Sequence, residues 1–230
     1  MMQLTHKPLA IAFDWDGTLA DTHGAVAEAL NHTLALYHKE AWEAVRLKYR
    51  DPMKSLKENF SNFFGTDAHA AYETYLVYYR THCLKNVRPM PGAEQLLRFL
   101  KQQAIFVSVI SNKEKSLLCA EIETCFPDII FDHVLGNGDA PKNKPAPDPI
   151  WTAYALEPFD INPSNVWMVG DSGVDFEAAV TAECLPVLIG PETLYRTVGA
   201  LEALEKSNQA FLFNSLNDFL NALKGAVANE

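Results

Sequence analysis

Six short apolar runs, separated by helical patterns, constrain the fold of this 230-residue chain more than any other feature. Most of the runs are evenly apolar, which is typical of strands that are covered on both faces. They lie at residues 9–13, 105–110, 134–135, 166–169, 186–189 and 210–213. Their alternation with amphipathic helices predicts an α/β fold built on a doubly wound parallel sheet.

The first two predicted strands are separated by residues 14–104, far more than an ordinary connection within such a sheet. This stretch contains three helical patterns, HGAVAEALNHTLALYH, RDPMKSLKENFSNFF and AHAAYETYLVYYRTHCL. In the second pattern, Asp51 is the expected N-cap and Pro52 the first helical residue. We therefore predict a core domain at residues 1–19 and 89–230, with a helical cap domain inserted at residues 20–88.

Composition and charge limit the classes of binding partner. The formal net charge of −10 disfavours the broad basic surface that nucleic-acid binding uses. The N-terminal segment is too short and polar for a signal peptide, and no apolar run reaches the length of a membrane span, so a cytoplasmic protein without a membrane partner is expected. The four cysteines lack Cys-x-x-Cys spacing, which favours reduced thiols over disulfides or a zinc site. The oligomeric state stays open.

Polar residues follow several predicted strands at their carboxyl ends, where doubly wound sheets bind ligands. Individually each could be a turn residue, a helix N-cap or a solvated charge. No basic residue lies beside Asp14 and Asp16, so a bound metal ion could supply the missing charge. Together the polar residues could converge on one small site: Asp14, Asp16, Ser111, Asn112, Lys144, Asp171 and Asp175.

Four stretches, DWDGTLADT, VISN, KNKPAPDP and GDSGVDFEAA, resemble in this order the motifs of the haloacid dehalogenase-like hydrolase superfamily. The resemblance covers nearly the whole chain, includes a helical cap after the first motif, and points to the phosphoglycolate phosphatase-like branch. It implies a Mg²⁺-dependent phosphatase that hydrolyses a small phosphate monoester, phosphoglycolate-like or a sugar phosphate, through an aspartyl-phosphate intermediate. The expected partner is a small phosphorylated metabolite.

The resemblance also assigns chemical roles. Asp14 is the implied nucleophile, because a carboxylate is already ionised at neutral pH. Asp16 is the implied general acid and base, for which an elevated pKa is expected. Lys144 neutralises phosphate charge, with Lys142 as the competing lysine.

Binding roles follow from the same resemblance. Asp14, the Asp16 backbone carbonyl and Asp171 are implied oxygen ligands of Mg²⁺. Asp175 is expected to hold a metal-bound water or to orient Lys144. The implied phosphate-binding residues are Gly17, Thr18, Ser111 and the backbone of Asn112.

Two further readings of the site stay open. A phosphosugar mutase of the superfamily usually carries a cap histidine twelve residues after the nucleophile, where this chain has Val26, with His23 and His32 out of register. A signalling domain that is phosphorylated on aspartate without turnover also combines acids, a hydroxyl and a lysine around magnesium. The presence of Asp16 favours phosphate ester hydrolysis.

Substrate selection is expected in the cap. Arg50 and Lys54 flank the predicted start of its second helix, where two cations and a helix N-terminus could bind an anionic substrate. The alternative is two solvated surface charges. Trp15 is expected to pack or to shape the pocket rather than to react.

Overall fold

The computed structural model describes Leu4 and residues 7–155, 162–191 and 210–228. Its main sheet has six strands in the order β5-β4-β1-β6-β7-β8, and every neighbouring pair is parallel. A second sheet consists of the short pair β2 and β3. In chain order the strands are β1 (Ala10–Phe13), β2 (Ala20–Asp21), β3 (Arg88–Pro89), β4 (Phe106–Glu114), β5 (His133–Asn137), β6 (Val166–Gly170), β7 (Leu185–Ile189) and β8 (Phe211–Phe213).

β1 lies at the centre of the sheet, between β4 and β6, and all four of its residues are fully buried. This burial explains why its sequence is evenly apolar rather than alternating. From β1 the chain builds the sheet outwards on both sides, so the strand order reverses at this strand. The predicted doubly wound α/β fold is confirmed, and its reversal point is where such sheets bind ligands.

Helices cover both faces of the sheet. Ile11 and Phe13 pack into one apolar cluster with α5, α6 and α9, and Ala10 and Ala12 pack into another with α7 and α8. The alternate residues of one strand therefore serve two separate cores. The helices are α1 (His23–Leu36), α2 (Trp42–Tyr49), α3 (Leu56–Phe64), α4 (Ala68–Tyr78), α5 (Ala93–Gln102), α6 (Lys115–Cys125), α7 (Asp148–Ala155), α8 (Gly173–Thr181) and α9 (Leu216–Ala228).

The helical insertion contains α1–α4 and lies between β2 and β3. α4 continues into a π-helical turn at Tyr79–Cys83 and a short turn at Leu84–Asn86. The interior of the helical insertion is aromatic, and the Phe60 ring contacts the rings of both Tyr72 and Tyr75. Because β2 and β3 pair in antiparallel fashion, the two connections to the sheet run side by side. The domain boundaries at residues 20 and 88 stay a prediction.

The start of α3 differs from the expectation. Ser55, rather than Asp51, caps the helix: its Oγ accepts the Glu58 amide at 3.2 Å, and Glu58 Oε2 accepts the Ser55 amide at 2.9 Å. This reciprocal pair satisfies two amides that would otherwise lack partners. Asp51 instead accepts the Met53 amide in the preceding turn. The predicted helix start at Pro52 is therefore wrong by four residues.

Two composition-based expectations can be compared with the structure. All four cysteines are free, as expected. Within the described ranges, no helix is both long and apolar enough to span a bilayer. Parts of the predicted core domain, at residues 1–3, 5–6, 156–161, 192–209 and 229–230, lie outside the described residues.

Candidate active site

The carboxyl ends of β1 and β6 bring the predicted acidic residues together. Asp14 follows β1 directly, and its amide donates to Val169 O on β6 at 2.8 Å. Asp171 follows β6, and Asp175 lies on the first turn of α8. One carboxylate oxygen from each of Asp14, Asp171 and Asp175 lies within 4.8 Å of the others. Three acids that are distant in sequence therefore share one small volume.

Lys144 lies inside this cluster. Its Nζ donates to Asp14 Oδ1 at 2.6 Å and to Asp175 Oδ1 at 2.7 Å, and its side chain is 2% exposed. Asp175 Oδ2 accepts the amide and hydroxyl of Ser172, so both of its oxygens are engaged. This geometry fits the predicted alternative in which Asp175 orients Lys144. The competing Lys142 is exposed.

The Asn112 side chain fixes the backbone of Lys144. Its Nδ2 donates to Lys144 O at 2.7 Å, and its Oδ1 accepts the Lys144 amide at 3.1 Å. Sequence reasoning considered only the Asn112 backbone and missed this contact, which no local pattern announces. The neighbouring Ser111 is buried and is not a helix N-cap, because Glu114 caps α6.

The turn after Asp16 allows two loops to approach closely. Gly17 adopts φ +81°, and an added Cβ there would lie 3.1 Å from Asp171 Cγ and closer still to Oδ2. Thr18 is fully buried, and its Oγ1 has no hydrogen-bond partner in the part of the chain that the structure describes. A buried hydroxyl without a partner is costly, so a ligand oxygen beside it would be stabilising.

Burial and mutual repulsion govern the charges of the acids. Burial, reinforced by the charge of Asp175, raises the pKa of Asp14 to about 7 despite the Lys144 ammonium. Burial and the charge of Asp14 likewise hold the pKa of Asp171 well above its usual range. Among the described residues, none forms an ion pair with Asp171. A hard divalent cation fits this set of oxygen donors, because it would offset charge that the lysine leaves uncompensated.

The pKa of the Asp16 carboxyl differs from the sequence-based expectation. Burial alone would raise the pKa of its carboxyl, but the ion pair with Lys113 outweighs burial and lowers it. Lys113 Nζ lies 2.6 Å from Asp16 Oδ1, and the Thr22 hydroxyl donates to the same oxygen. The expectation of an elevated pKa is therefore wrong for this arrangement, which favours the ionised, proton-accepting form.

A buried cluster behind Asp16 was missed in the sequence. Lys113 Nζ donates to both oxygens of Glu121, at 2.8 and 2.7 Å, and Glu121 is fully buried. Trp15 Nε1 and the Tyr79 hydroxyl each donate to one Glu121 oxygen at 2.5 Å. Trp15 thus packs internally, as expected, and also binds a carboxylate. A glutamate on the apolar face of α6, four residues after Leu117, was the available signal.

The two cap cations behave differently. Arg50 follows the end of α2 and is exposed as a whole residue. Partial burial of its guanidinium, reinforced by the charge of Arg46, lowers the guanidinium pKa, and the charges of Asp171 and Asp16 oppose this shift. Within the described ranges, no carboxylate pairs with Arg50. Lys54 lies 3.7 Å from Asp51 and is half exposed. Neither residue stands at the N-terminus of a helix that faces the site, because α3 begins at Leu56. The charges of Asp16 and Asp171 in the acidic cluster therefore act on Arg50.

Comparison with known proteins agrees with the predicted fold and family. A family model for haloacid dehalogenase-like hydrolases matches residues 11–189. Phosphoglycolate phosphatase of Neisseria meningitidis serogroup A is 33% identical over 187 residues, which are 77% of this chain and 78% of that protein. The pyrophosphatase PpaX of Bacillus cereus is 25% identical over 214 residues, covering 93% of this chain and 95% of that protein.

Among solved structures, CbbY from Rhodobacter sphaeroides in complex with phosphate aligns with a TM-score of 0.76. The alignment covers 94% of this chain and 99% of that one at 22% identity, and it supports the fold alone. The chain belongs to the haloacid dehalogenase-like hydrolase family. The predicted family and enzyme class, a hydrolase of the phosphatase type, are confirmed.

Proposed function

We propose that this protein is a Mg²⁺-dependent phosphatase that hydrolyses a small phosphate monoester through an aspartyl-phosphate on Asp14. The observation that carries the proposal is the buried cluster at the carboxyl end of β1. It combines an aspartate nucleophile, a buried lysine and an aspartate that forms no ion pair with the described residues, namely Asp14, Lys144 and Asp171. Phosphoryl transfer depends mainly on positioning and on stabilising negative charge, which such a cluster can provide.

In the proposed first step, Asp14 attacks phosphorus and the leaving alkoxide departs. Lys144 offsets negative charge on the transferring group, and its own position is fixed by Asp175 and by the Asn112 side chain. The proposed hydrogen-bond donors to phosphate oxygens are the buried Ser111 hydroxyl and the Thr18 hydroxyl, which has no partner among the described residues. Gly17 and the backbone amide of Asn112 would complete the phosphate site.

Proton transfer is assigned to Asp16. Its ionised form can take a proton from the water that hydrolyses the aspartyl-phosphate. To donate a proton to the leaving group in the first step, the same carboxyl must carry that proton on Oδ2, because Oδ1 accepts Lys113 Nζ at 2.6 Å. The two roles therefore require opposite protonation states of one side chain.

The proposed metal ligands are Asp14, the Asp16 carbonyl and Asp171, with Asp175 acting through Lys144 or a water. When bound, Mg²⁺ would supply positive charge that draws phosphate to the nucleophile and offsets the repulsion among these acids. The elevated pKa of Asp171, caused by burial and by Asp14, is the electrostatic observation that supports a cation at this position.

We assign substrate selection to the helical insertion, as the cap domain at residues 20–88. Arg50 is the proposed contact for a second anionic group on the substrate, because its electrostatic neighbours include Asp16 and Asp171. Lys54 is the weaker candidate of the two cap cations, because it already pairs with Asp51. The relatives named phosphoglycolate phosphatase and pyrophosphatase support a small, phosphoglycolate-like substrate with a second anionic group. A sugar phosphate, which lacks that group, is the other proposed substrate.

Two alternatives receive less support. The mutase position twelve residues after Asp14 carries Val26, which packs against the apolar core. A signalling domain would need a long-lived aspartyl-phosphate, whereas Asp16 is suited to its hydrolysis. The match to a hydrolase family also favours turnover.

The experiment is a phosphate-release assay of the purified protein over phosphoglycolate, sugar phosphates, nucleotides and pyrophosphate, each with Mg²⁺ and with a chelator. We expect multiple turnovers of at least one small monoester, dependent on added Mg²⁺. Stoichiometric release of the leaving alcohol, with the phosphoryl group retained on the protein and no phosphate released, would support the signalling alternative. Net conversion of a sugar phosphate to its isomer would support the mutase.

A further inference from the structure

The Asp16 carboxylate is held through only one of its two oxygens. Lys113 Nζ and the Thr22 hydroxyl both donate to Oδ1, whereas Oδ2 has no hydrogen bond from the residues that the structure describes. Two donors on one oxygen restrict the rotation of the carboxylate. They leave the other oxygen available for a proton on a ligand.

Lys113 is itself held from behind. Its side chain is 7% exposed and lies between Asp16 and the fully buried Glu121. Both Glu121 oxygens contact Lys113, and the indole of Trp15 fixes one of them. A buried carboxylate with this many donors is rigid and costly to disturb. The lysine head is therefore fixed in place rather than free to follow solvent.

The same cluster reaches into the helical insertion. Tyr79, on the π-helical turn after α4, donates its hydroxyl to Glu121 Oε1 at 2.5 Å. The Lys113 ammonium also lies 5.6 Å from the centre of the Tyr79 ring. An element of the insertion thus contacts the group that anchors Lys113.

We propose that Lys113 is a positioning residue that, anchored by Glu121, holds Asp16 Oδ1 and thereby aims Oδ2 at the proton it transfers. This inference rests on the proposed function, because it acts through Asp16 as general acid and base. A correctly placed proton donor accelerates departure of a poor leaving group far more than departure of a good one. The effect of removing Lys113 on kcat/KM should therefore depend on the leaving group.

The decisive variant is Lys113→Met combined with Glu121→Gln. Removing the lysine alone would leave Glu121 buried without its counter-charge, so the double change protects the fold. Glu121→Gln alone is the second variant, since it weakens the anchor while retaining the lysine. The matched control is Lys115→Met, which removes a lysine two residues along that pairs with Asp139. Thermal unfolding of each variant checks that it is folded.

The readout is kcat/KM for an alkyl phosphate, glycerol 2-phosphate, against p-nitrophenyl phosphate, whose leaving group needs little protonation. For the double variant we expect a fall of about 10- to 100-fold with the alkyl ester and of less than about threefold with the nitrophenyl ester. Glu121→Gln should show the same pattern with a smaller fall, and Lys115→Met should leave both values unchanged.

A second readout tests whether Lys113 acts through Asp16. In an Asp16→Asn background, the double change should cause no further leaving-group-dependent loss, because residues that act as a unit are not additive. An equal fall for both esters in folded variants, or a full additional loss in the Asp16→Asn background, would overturn the inference. A wild-type protein that releases no phosphate would instead refute the proposed function.

Discussion

Replacement of Gly17 by alanine tests whether the close approach of the two loops builds the site. At φ +81° a non-glycine residue is strained by about 1–3 kcal/mol. The new Cβ would also overlap the Asp171 carboxylate, whose Cγ would lie 3.1 Å away, and such overpacking costs a further ~1–3 kcal/mol. We therefore expect Gly17→Ala to lower the free energy of unfolding by about 2–6 kcal/mol and to displace Asp171.

Two other glycines separate these effects. Gly65 has φ +59° with no atom within 4 Å of an added Cβ, so Gly65→Ala introduces the strain without the overlap. Gly24 lies in α1 with free space around it, and Gly24→Ala should be neutral or stabilise by up to about 1 kcal/mol. Only the change at Gly17 should affect the Asp171 carboxylate.

The assay combines urea unfolding with Mg²⁺-dependent phosphate release. Gly17→Ala should lose activity at least tenfold and require more Mg²⁺ for half-maximal rate, whereas Gly65→Ala should lose stability but keep its Mg²⁺ requirement. Unchanged stability and Mg²⁺ requirement in Gly17→Ala would refute the reasoning. An equal rise of the Mg²⁺ requirement in Gly65→Ala would show that strain, rather than contact with Asp171, matters.

Three further predictions follow from the charges. Lys144→Met, which leaves two buried carboxylates without their lysine, should lose about 3–5 kcal/mol in urea unfolding under chelation, and the exposed Lys142→Met should lose almost none. Arg50→Ala should raise KM for doubly anionic esters more than for simple alkyl esters, and Lys54→Ala should change neither appreciably. Mg²⁺ at about 100 times its dissociation constant should stabilise the protein by ~2.7 kcal/mol in thermal unfolding, and Asp171→Asn should abolish this gain.

Each of these has a contradicting result. Equal stability losses in the two lysine variants would show that Lys144 does not offset the buried acids. Equal KM effects of Arg50→Ala and Lys54→Ala would remove the distinction between the two cap cations. A full Mg²⁺ stabilisation in Asp171→Asn would place the ion elsewhere.

Much of the fold was readable from the sequence because its strands are buried on both faces. β1 and β6 are continuous apolar runs, and their parallel pairing follows from the helices between strands. The start of α3 was less accessible, because Asp51 and Ser55 are both good caps. Only the reciprocal bonds with Glu58 distinguish them.

The candidate site likewise has a part that could be predicted from the sequence and a part that could not. Asp14 and Asp171 follow strands directly, so sheet topology alone brings them together. Lys113 and Glu121 were missed because their pairing depends on where α6 packs and on a hydroxyl from the insertion, Tyr79. Long-range contacts between side chains of this kind have no signature at fixed sequence spacing. The predicted rise in the pKa of Asp16 was wrong for that reason.

The central claim is that Asp14 carries the phosphoryl group during turnover. The direct measurement is acid quench of the enzyme during reaction with a radiolabelled phosphate ester, followed by peptide mapping of the acid-stable label. We expect the label on the peptide that contains Asp14, absent from folded Asp14→Asn, which should also release no phosphate. Phosphate release retained in Asp14→Asn, or label on any other residue, would contradict the account.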